Sequence, residues 1–386
     1  MITTINNKHK KLNVPNLRFP EFQGEWKEKR LSEIADLFKG NGISKEQLTD
    51  TGEPCILYGE LYTKYKSEVI SDIFSKTDID TRKLVKSKAN DVIIPCSGET
   101  AVDIATARCV PYDNILLGGD LNIIRLYDCD GSFMSYQLNG KRKYDLAKVA
   151  QGVSVVHLYG DHLKGVKTYN PCLEEQKKIA KLLSLLDERI ATQNKIIEDL
   201  KKLKSAISEN LFKDVKGNIV MLSEICEIIK GKQINGEFLS EKGKYYVMNG
   251  GTEPSGYYSD YNVEANTISI SEGGNSCGYV QFNTSPFWSG GHCYTIKKIA
   301  DNVDHLYLYH YLKSKEDAIM KLRIGSGLPN IQKKDLAIFK IKIPTAKQQK
   351  VISTFLSSLE RKAEIEEILL NAMKKEKQYL LRQMFI

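Results

Sequence analysis

The chain has 386 residues, with 56 lysines and arginines against 48 aspartates and glutamates, so its net charge is +8. That length exceeds what one hydrophobic core usually serves, which predicts two domains, and the basic balance is compatible with a polyanionic partner. The polar N-terminus and the lack of any apolar run near ~20 residues argue against a signal peptide and a membrane span, and they predict a cytoplasmic protein. The eight cysteines form no C-x-x-C pair, so no metal site is expected.

The chain contains an internal repeat. Residues 31–40 read LSEIADLFKG and residues 222–231 read LSEICEIIKG. Apolar residues at i, i+3 and i+6 before a Lys-Gly pair predict a short helix with a glycine C-cap in each half. Looser matches follow in the same order, and their β-branched runs and glycine turns predict β-rich modules made by duplication. The matched pairs are 91–98 with 266–273, 117–120 with 288–292, 151–154 with 326–329, and 166–171 with 339–344.

A long helix is predicted at the end of each half, from about Glu174 to Phe212 and from about Lys347 to Phe385. A helix of about 39 residues spans nearly 60 Å at ~1.5 Å per residue, which is too long for one small domain to cover. Each helix is therefore expected to pair with the other. Thr345 followed by Gln348 predicts a capping box at the start of the second helix.

Apolar residues recur at alternating steps of three and four along both helices, which is the spacing of a coiled-coil seam. Polar interruptions coincide in the two helices, Gln193 with Glu366 and Lys204 with Lys377, and we expect them to help fix the register. The predicted seam residues are Leu183, Leu186, Ile190, Ile197, Leu200, Ile207 and Leu211 of the first helix, with Leu356, Leu359, Leu370, Met373, Leu380 and Met384 of the second.

These features predict an α+β fold with two repeated β-rich domains, each followed by a long helix. The two helices are expected to pair as an antiparallel coiled coil with pseudo-two-fold symmetry. The predicted boundaries are residues 1–171 for the first β-rich domain, 172–213 for its helix, 214–344 for the second domain and 345–386 for the second helix. Two such domains on a common frame suit a reader of two separate DNA segments.

Three features together resemble the specificity subunit, HsdS, of type I restriction-modification systems, over nearly the whole chain. The first is VPNLRFPEF at residues 14–22, followed by Trp26. The second is the LSEI repeat. The third is the helix pair, entered through proline and glutamine at residues 171–176 and 344–349, and ended by Asn-Leu-Phe212 and Gln-Met-Phe385.

The resemblance implies that each β-rich domain is a target recognition domain, which reads one half of a bipartite, asymmetric sequence in double-stranded DNA. It also implies that the helices act as a spacer and dock two methyltransferase subunits, with restriction and translocase subunits joining the assembled complex. S-adenosylmethionine, ATP and Mg then belong to the partner subunits, and this chain binds no cofactor.

Chemistry motifs are missing from the sequence, which agrees with a non-catalytic subunit of a DNA adenine methyltransferase or type I restriction endonuclease. There is no Asn-Pro-Pro-Tyr or Asp-Pro-Pro-Tyr, no Walker loop and no H-E-x-x-H. A self-contained nuclease or methyltransferase is therefore disfavoured. The alternative left open is a non-catalytic coiled-coil scaffold whose two β-rich modules do not bind DNA.

DNA contacts require cations for phosphates and polar or aromatic side chains for base edges, and such residues gather near the glycine turns. The candidates in the first domain are Tyr62, Lys64, Tyr65, Lys66, Ser97, Thr100, Asn122, Lys141, Arg142, Lys143 and Ser154. Those in the second domain are Tyr245, Tyr246, Asn249, Tyr257, Tyr258, Ser271, Asn275, Ser276, Lys321, Arg323, Ser326 and Asn330.

Overall fold

The computed structural model describes residues 12–152, 155–325 and 327–386. Two compact units divide the chain. The first contains the residues up to Asn194 together with Leu369–Ile386, and the second contains Lys195–Ile368. Each unit therefore includes part of both long helices.

The first unit is β-rich, with short helices between the strands and a 3-10 turn at Leu31–Glu33 and at Lys45–Gln47. Its strands are β1 Lys27–Arg30, β2 Ala35–Lys39, β3 Leu48–Thr49, β4 Glu53–Ile56, β5 Ser75–Thr77, β6 Val85–Lys86, β7 Asp91–Pro95, β8 Ser97–Gly98, β9 Arg108–Val110, β10 Leu116–Leu117, β11 Leu121–Leu126, β12 Val156–His157 and β13 Lys167–Asn170. Its helices are α1 Glu60–Thr63, α2 Ala101–Ile104, α3 Gly131–Asn139, α4 Lys143–Lys148 and α5 Gly160–Lys164, and the first long helix is α6 Leu173–Asp214.

The second unit repeats this plan with fewer elements, including a 3-10 turn at Gly236–Phe238. Its strands are β14 Asn218–Met221, β15 Glu227–Lys230, β16 Tyr245–Met248, β17 Gly256–Tyr258, β18 Thr267–Ser271, β19 Val280–Asn283, β20 Trp288–Ser289, β21 Cys293–Lys297 and β22 Lys340–Ile343. Its helices are α7 Leu222–Ile225, α8 His305–Ser314, α9 Glu316–Met320 and α10 Lys333–Ala337, and the second long helix is α11 Ala346–Gln383.

The sheets of the two units have matching strand orders. A four-stranded antiparallel sheet runs β2-β11-β7-β9 in the first unit and β15-β21-β18-β19 in the second. Beside it, a parallel pair joins β4 to β10 in one unit and β16 to β20 in the other. A further antiparallel ribbon, β1 with β13 or β14 with β22, lies next to the start of the long helix in sequence. The prediction of two repeated β-rich domains is thus confirmed.

Strand β7 is buried along its whole length, and strand β18 is buried at every residue after Thr267. Val92, Ile93 and Ile94 of β7 are fully buried, and Ile268 and Ile270 of β18 are equally inaccessible. Covering of both faces gives β7 a continuous apolar run, whereas β18 alternates isoleucine with buried serine.

The prediction of a short helix at each LSEI repeat was wrong beyond its first turn. Only Leu31–Glu33 and Leu222–Ile225 are helical, and strands β2 and β15 follow at once. The same apolar spacing serves a turn and a strand because Leu31 and Leu222 fill the core, while β2 and β15 are held by cross-strand bonds to β11 and β21. The glycine that follows does not cap a helix, and its role is described below.

The sequence match between 91–98 and 266–273 is one residue out of register. Pro95 of β7 pairs with Leu121, and its counterpart opposite Cys293 is Ser271. Asp91 therefore corresponds to Thr267 and not to Asn266. This alignment is defined by the cross-strand partners of the two strands, and these partners cannot be read from two weakly similar apolar runs in the sequence.

The long helices are present as predicted, with 42 residues in α6 and 38 in α11. They pair in antiparallel fashion within each unit, because Leu183 near the start of α6 shares a core with Met384 at the end of the chain, while Leu356 near the start of α11 shares one with Phe212. Every predicted seam residue is buried or half-buried. Thr345 and Gln348 form the expected reciprocal capping bonds.

Two polar interruptions of the seam, Lys204 and Lys377, form ion pairs with acids of the other helix. Nζ of Lys204 lies 2.6 Å from Glu360, and Nζ of Lys377 lies 2.6 Å from Asp187 and 2.5 Å from Glu68. Each lysine pairs with an acid at the corresponding position of the other helix, so the duplication extends to these contacts. Burial, the largest effect, raises the pKa of Asp187, and Lys377 opposes it.

No helix in the described part of the chain is long and apolar enough to cross a membrane.

Candidate nucleic-acid interface

A close backbone approach at two glycines shapes the same loop in both units. A Cβ on Gly40 would meet the carbonyl oxygen of Gly118 at 2.1 Å, and one on Gly231 would meet that of Gly290 at 2.2 Å. The amide of Gly40 donates to Leu121 at 2.9 Å, and that of Gly231 donates to Cys293 at 2.8 Å. Only glycine permits this spacing, which explains the glycine that ends each repeat.

In the first unit this loop borders a groove of about 800 Å³. One side is formed by residues 43–46, the other by Tyr58–Lys64, and Gly119 with Asp120 also line it. A second groove of about 550 Å³ adjoins it, since both share Tyr58, Gly59 and Thr63. Together they form one continuous surface that contains aromatic, cationic and carboxylate side chains, which we call the first groove.

Tyr62 and Ser97 meet in the second part of the first groove. The Tyr62 hydroxyl donates to the Ser97 carbonyl oxygen at 2.8 Å, and the Ser97 hydroxyl donates to Oδ2 of Asp120 at 3.3 Å. Burial raises the pKa of Tyr62, so its phenol stays protonated at neutral pH. Glu99 and Asp103 line the same part of the groove.

The backbone at the first groove is strained in two places. Asp120 has φ 58° and Ile43 has φ 57°, a left-handed conformation that is rare for a β-branched residue. Ile43 is buried with Cys55 and Leu116, so packing holds the loop in this form. Such strain is typical of functional loops whose surroundings fix their shape.

The second unit places different side chains on the same framework. Cross-strand partners align Asp120 with His292, because the Asp120 carbonyl accepts from Cys96 at 2.7 Å and that of His292 accepts from Glu272 at 2.9 Å. Oδ1 of Asn249 accepts from the His292 amide at 3.0 Å. We call the surface formed by Asn249–Gly251, Gly273–Asn275 and His292 the second groove.

A buried carboxylate, that of Glu272, lies next to the second groove. Glu272 is 7% exposed and lies 2.6 Å from Nζ of Lys230, while Tyr294 donates to it at 3.0 Å. Nδ1 of His292 lies 3.7 Å from the same carboxylate. Burial raises the pKa of Tyr294, and the bond to Glu272 adds to this shift. At the corresponding position the first unit has Cys96, whose pKa burial raises to about 11.

The structure brings some of the predicted residues of the first domain to its groove and assigns structural roles to others. Tyr62, Lys64 and Ser97 line the groove, and Thr100 caps α2 beside it. None of the other predicted residues that the structure describes lines the first groove. Tyr65 is buried, Lys66 is exposed and donates to the Tyr62 carbonyl, Asn122 is buried and donates to Leu158, Lys141 is exposed, Lys143 is half-buried, Arg142 binds Asp145 and the Ile386 carbonyl, and Ser154 lies outside the described residues.

The same division holds in the second domain. Asn249 and Asn275 lie at the second groove, and Asn330 forms a bridge to Gly273. The tyrosines form an aromatic face, in which Tyr245 contacts Tyr261 and Tyr258 contacts Trp288. The remaining predicted residues are placed as follows: Tyr246 stacks on Phe287, Tyr257 is half-buried, Ser271 is buried and donates to Gly250, Ser276 is half-buried, Lys321 and Arg323 are exposed, and Ser326 lies outside the described residues.

Asp120 and His292, which occupy corresponding positions in the two grooves, were not among the residues predicted from the sequence. Both directly follow a Gly-Gly pair that the repeat had already matched. The position after a matched glycine turn, where the residue type differs between halves, was the signal that could have identified them. Among the described residues, no cluster of three or more potential metal ligands occurs.

Comparison with known proteins decides the family. The sequence matches the family described as type I restriction modification DNA specificity domain over residues 23–202 and 215–375. The chain belongs to this family. This chain is 25% identical over 404 residues to the putative type I restriction enzyme MjaX specificity subunit of Methanocaldococcus jannaschii. The match covers 93% of this chain and 92% of that relative. A putative type I specificity subunit of Mycoplasma pneumoniae is 33% identical over 145 residues, which span 37% of this chain and 38% of the relative.

Solved structures show the same fold. The S subunit of a type I restriction-modification system from M. genitalium matches with a TM-score of 0.69 at 20% identity, covering 97% of this specificity subunit and 99% of that chain. A chain from a study of complex assembly and conformational transition of the type I restriction-modification system matches with a TM-score of 0.56 at 18% identity, covering 93% and 97%. The predicted α+β fold, with two β-rich domains each ending in a paired long helix, is confirmed.

Proposed function

We propose that each β-rich domain reads one half of a bipartite, asymmetric DNA target, and that the chain itself is non-catalytic. The observation that carries this proposal is the exchange of Asp120 for His292 on an otherwise repeated loop framework. A duplicated frame with different side chains at one exposed position is what reading two different short sequences requires.

Base-edge chemistry supports different preferences for the two grooves. A carboxylate such as Asp120 accepts from the exocyclic amino group of cytosine, and neighbouring hydroxyls accept or donate according to the base. An imidazole such as that of His292 has one donor and one acceptor nitrogen when neutral. The exposed Lys45 at the first groove and Lys230 at the second offer cations for phosphate contacts.

The helix pair is proposed to set the spacer between the half-sites and to dock two methyltransferase subunits, with restriction and translocase subunits joining the assembled complex. S-adenosylmethionine, ATP and Mg would be bound by those partners. The Lys204–Glu360 and Lys377–Asp187 pairs fix the register of the helices, as a spacer of defined length requires.

A domain exchange tests the proposal that each domain recognises its half-site independently of the other. Residues 220–344 are replaced by the corresponding domain of another specificity subunit, and the methylated sequence is mapped in cells that carry the whole system. The half-site read by the second domain should change while the other half-site stays the same. A change in both half-sites would contradict independent reading.

A spacer insertion tests the role of the helices. Four residues are added to each helix between the two ion-pair levels, that is between Asp187 and Lys204 in α6 and between Glu360 and Lys377 in α11. The pair then lengthens by about 6 Å, roughly two base pairs, and the mapped spacer should lengthen by that amount. An unchanged spacer would refute this role.

Salt dependence separates a DNA reader from a scaffold with no DNA affinity. Binding of the assembled methyltransferase complex to target DNA, measured by gel shift, should weaken steeply between about 50 and about 200 mM salt, because the release of counterions from DNA becomes less favourable as the salt concentration rises. A complex without measurable DNA binding at low salt would favour the scaffold.

A further inference from the structure

The two oxygens of the Glu272 carboxylate have different surroundings. Oε1 lies 2.6 Å from Nζ of Lys230 and accepts a hydrogen bond from the Tyr294 hydroxyl at 3.0 Å. Oε2 is buried and has no hydrogen-bond partner in the described part of the chain. Because burial of an ionised oxygen without a donor is costly, Oε2 favours a nearby group that can donate to it.

The imidazole of His292 is the group that faces Oε2. Its Nδ1 lies 3.7 Å from this oxygen, slightly beyond hydrogen-bond length, so a small turn of the ring about its side-chain bonds brings the two atoms into contact. The backbone of His292 is held on both sides, because its amide donates to Asn249 at 3.0 Å and its carbonyl accepts from the Glu272 amide at 2.9 Å. The side chain is 61% exposed, so Nε2, the other ring nitrogen, remains available to DNA.

The unpaired oxygen determines where the imidazole carries its proton. A carboxylate oxygen accepts a hydrogen bond but does not donate one, so the nitrogen that meets Oε2 has to be Nδ1 with its proton attached. In a neutral imidazole the other nitrogen is then without a proton, which makes Nε2 of His292 an acceptor. Lys230 already balances the charge of the carboxylate, so Oε2 requires a donor hydrogen and no second cation.

The first unit lacks this pair and has a different acceptor in the same place. Cys96 stands where the second unit has Glu272, and Asp120 stands where it has His292. The Asp120 carboxylate is an acceptor by its own chemistry, and the Ser97 hydroxyl donates to it at 3.3 Å. A neutral histidine presents an acceptor at Nε2 only if Nδ1 holds the proton, and Glu272 supplies that condition.

We propose that Glu272 is a positioning residue that holds the proton of His292 on Nδ1, so that Nε2 accepts a hydrogen bond from an exocyclic amino group of a DNA base. The ligand is therefore adenine, through N6, or cytosine, through N4, which are the amino groups that the major groove displays. Guanine and thymine present the oxygens O6 and O4 at the equivalent places, and an acceptor that faces an oxygen forms no hydrogen bond. This inference rests on the proposed function, because it names the class of base that the second groove reads.

Replacing Glu272 by glutamine tests the assignment, because it exchanges an acceptor for a donor at one atom. The glutamine oxygen can keep the contacts with Lys230 and Tyr294, and the amide NH2 group then takes the place of Oε2. Nδ1 of His292 has to accept from this group, so the proton moves to Nε2, which becomes a donor. In cells that carry the whole system, the methylated sequence should change at one position of one half-site, from adenine to guanine or from cytosine to thymine. The preference between the two bases should shift by at least about tenfold.

Tyr294→Phe is the matched control, since it removes the hydrogen bond to Oε1 and leaves Oε2 unchanged. This variant should retain the base preference of the unchanged protein. A Glu272→Gln variant that methylates the original sequence would overturn the inference, and so would the same altered sequence from both variants. Loss of DNA binding by the unchanged complex would instead refute the proposed function.

The position of the proton can also be measured without DNA, which keeps the inference testable if the Glu272→Gln variant does not fold. The full chain is prepared with isotopically labelled histidine, and long-range proton–nitrogen NMR spectra are recorded at about pH 8, where an imidazole ordinarily carries one proton. His292 is assigned by the signals that disappear in a His292→Gln variant. Nδ1 should carry the proton, and Nε2 should not. A proton on Nε2 in the unchanged chain would overturn the inference, whatever the result with DNA.

Discussion

The side-chain oxygen of Gln176 accepts a hydrogen bond from the backbone amide of Asp130 at 2.9 Å, which joins the start of the first long helix to the cap of α3. The second unit repeats this contact between Gln349 and Asp304 at 2.8 Å. Each glutamine also donates to the carbonyl of the proline before its helix, at 2.9 Å and 3.0 Å. These buried amides orient each helix against its β-rich domain.

Replacing Gln349 by alanine should lower the free energy of unfolding by roughly 1–3 kcal/mol, because buried backbone groups would lose their partners. Gln349 is 1% exposed and also donates to Asn302 at 3.0 Å. Urea unfolding followed by circular dichroism measures the effect, with Lys350→Ala, an exposed neighbour, as the control. Similar midpoints for the two variants would contradict a structural role for the amide.

Replacing Lys377 by methionine should cost about 3–5 kcal/mol, since it leaves the carboxylates of Glu68 and Asp187 buried without their cation. The side chains of these acids are each 10% exposed. Lys204→Met is the matched control and should cost less, because its partner Glu360 is 31% exposed in its side chain.

The Lys377→Met loss should shrink in acid. Burial already raises the pKa of Asp187 in the folded state, so protonation of this carboxyl is easier when folded and relieves the buried charge as pH falls. Urea midpoints at pH 8 and pH 5 measure this. A loss of the same size at both pH values would show that lost packing, and not unpaired charge, causes it.

Stability of the second unit should fall below pH 6.5 because of His310. Burial lowers the pKa of His310 to about 4, while Glu360 and Asp304 oppose this shift, Lys204 adds to it, and Ser357 lies within hydrogen-bond distance. The pKa of His310 is lower in the folded state than in the unfolded state. Its contribution to stability is therefore complete above the unfolded-state pKa of 6.5 and is lost as pH falls toward 4, by at most about 3 kcal/mol.

His310→Gln removes this titration and serves as the test. Its urea midpoint should depend less on pH between 6.5 and 4.5 than that of the unchanged protein. The corresponding residue of the first unit is Tyr136, which does not gain charge in this range. Parallel pH profiles for the two proteins would exclude His310 as the source.

Gly231→Ala should disrupt the second groove, since its Cβ would meet the Gly290 carbonyl oxygen at 2.2 Å. Overpacking of this kind costs typically 1–3 kcal/mol, and we expect it to displace the loop that carries His292. Methylation of the target measures the loss. Gly236→Ala is the control, because no atom lies within 4 Å of its added Cβ. Equal methylation by both variants would contradict the need for close approach.

Asp120→Asn should relax specificity in only one half-site, by about 1–3 kcal/mol of base discrimination. Asparagine tolerates the left-handed backbone at this position, φ 58°, so the variant should fold. Methylation mapping with His292→Gln as the counterpart shows whether each change affects a different half-site. Changes in the same half-site would remove the assignment of one groove to each half.

The sequence by itself determined the duplication, the long helices and their seam. These features depend on local periodicity and on similarity between two parts of one chain, both of which are readable without coordinates. Leu183 and Leu356 could be matched because helical spacing repeats every few residues. The LSEI turn could not be separated from the strand after it, because three apolar positions fit either structure.

Only the tertiary structure decided which residues form the grooves and which surfaces of the long helices are covered. Asp120 and His292 correspond because of cross-strand bonds to residues far away in sequence, and Asn122 is buried by a loop that ends at Leu158. Similarly, Val14–Trp26 covers the start of the first long helix through contacts with Glu175, in the middle of the sequence, and Gln383, near its end. Such long-range contacts leave no local periodicity, so the sequence specifies the repeated frame, while packing determines which surfaces the frame leaves open.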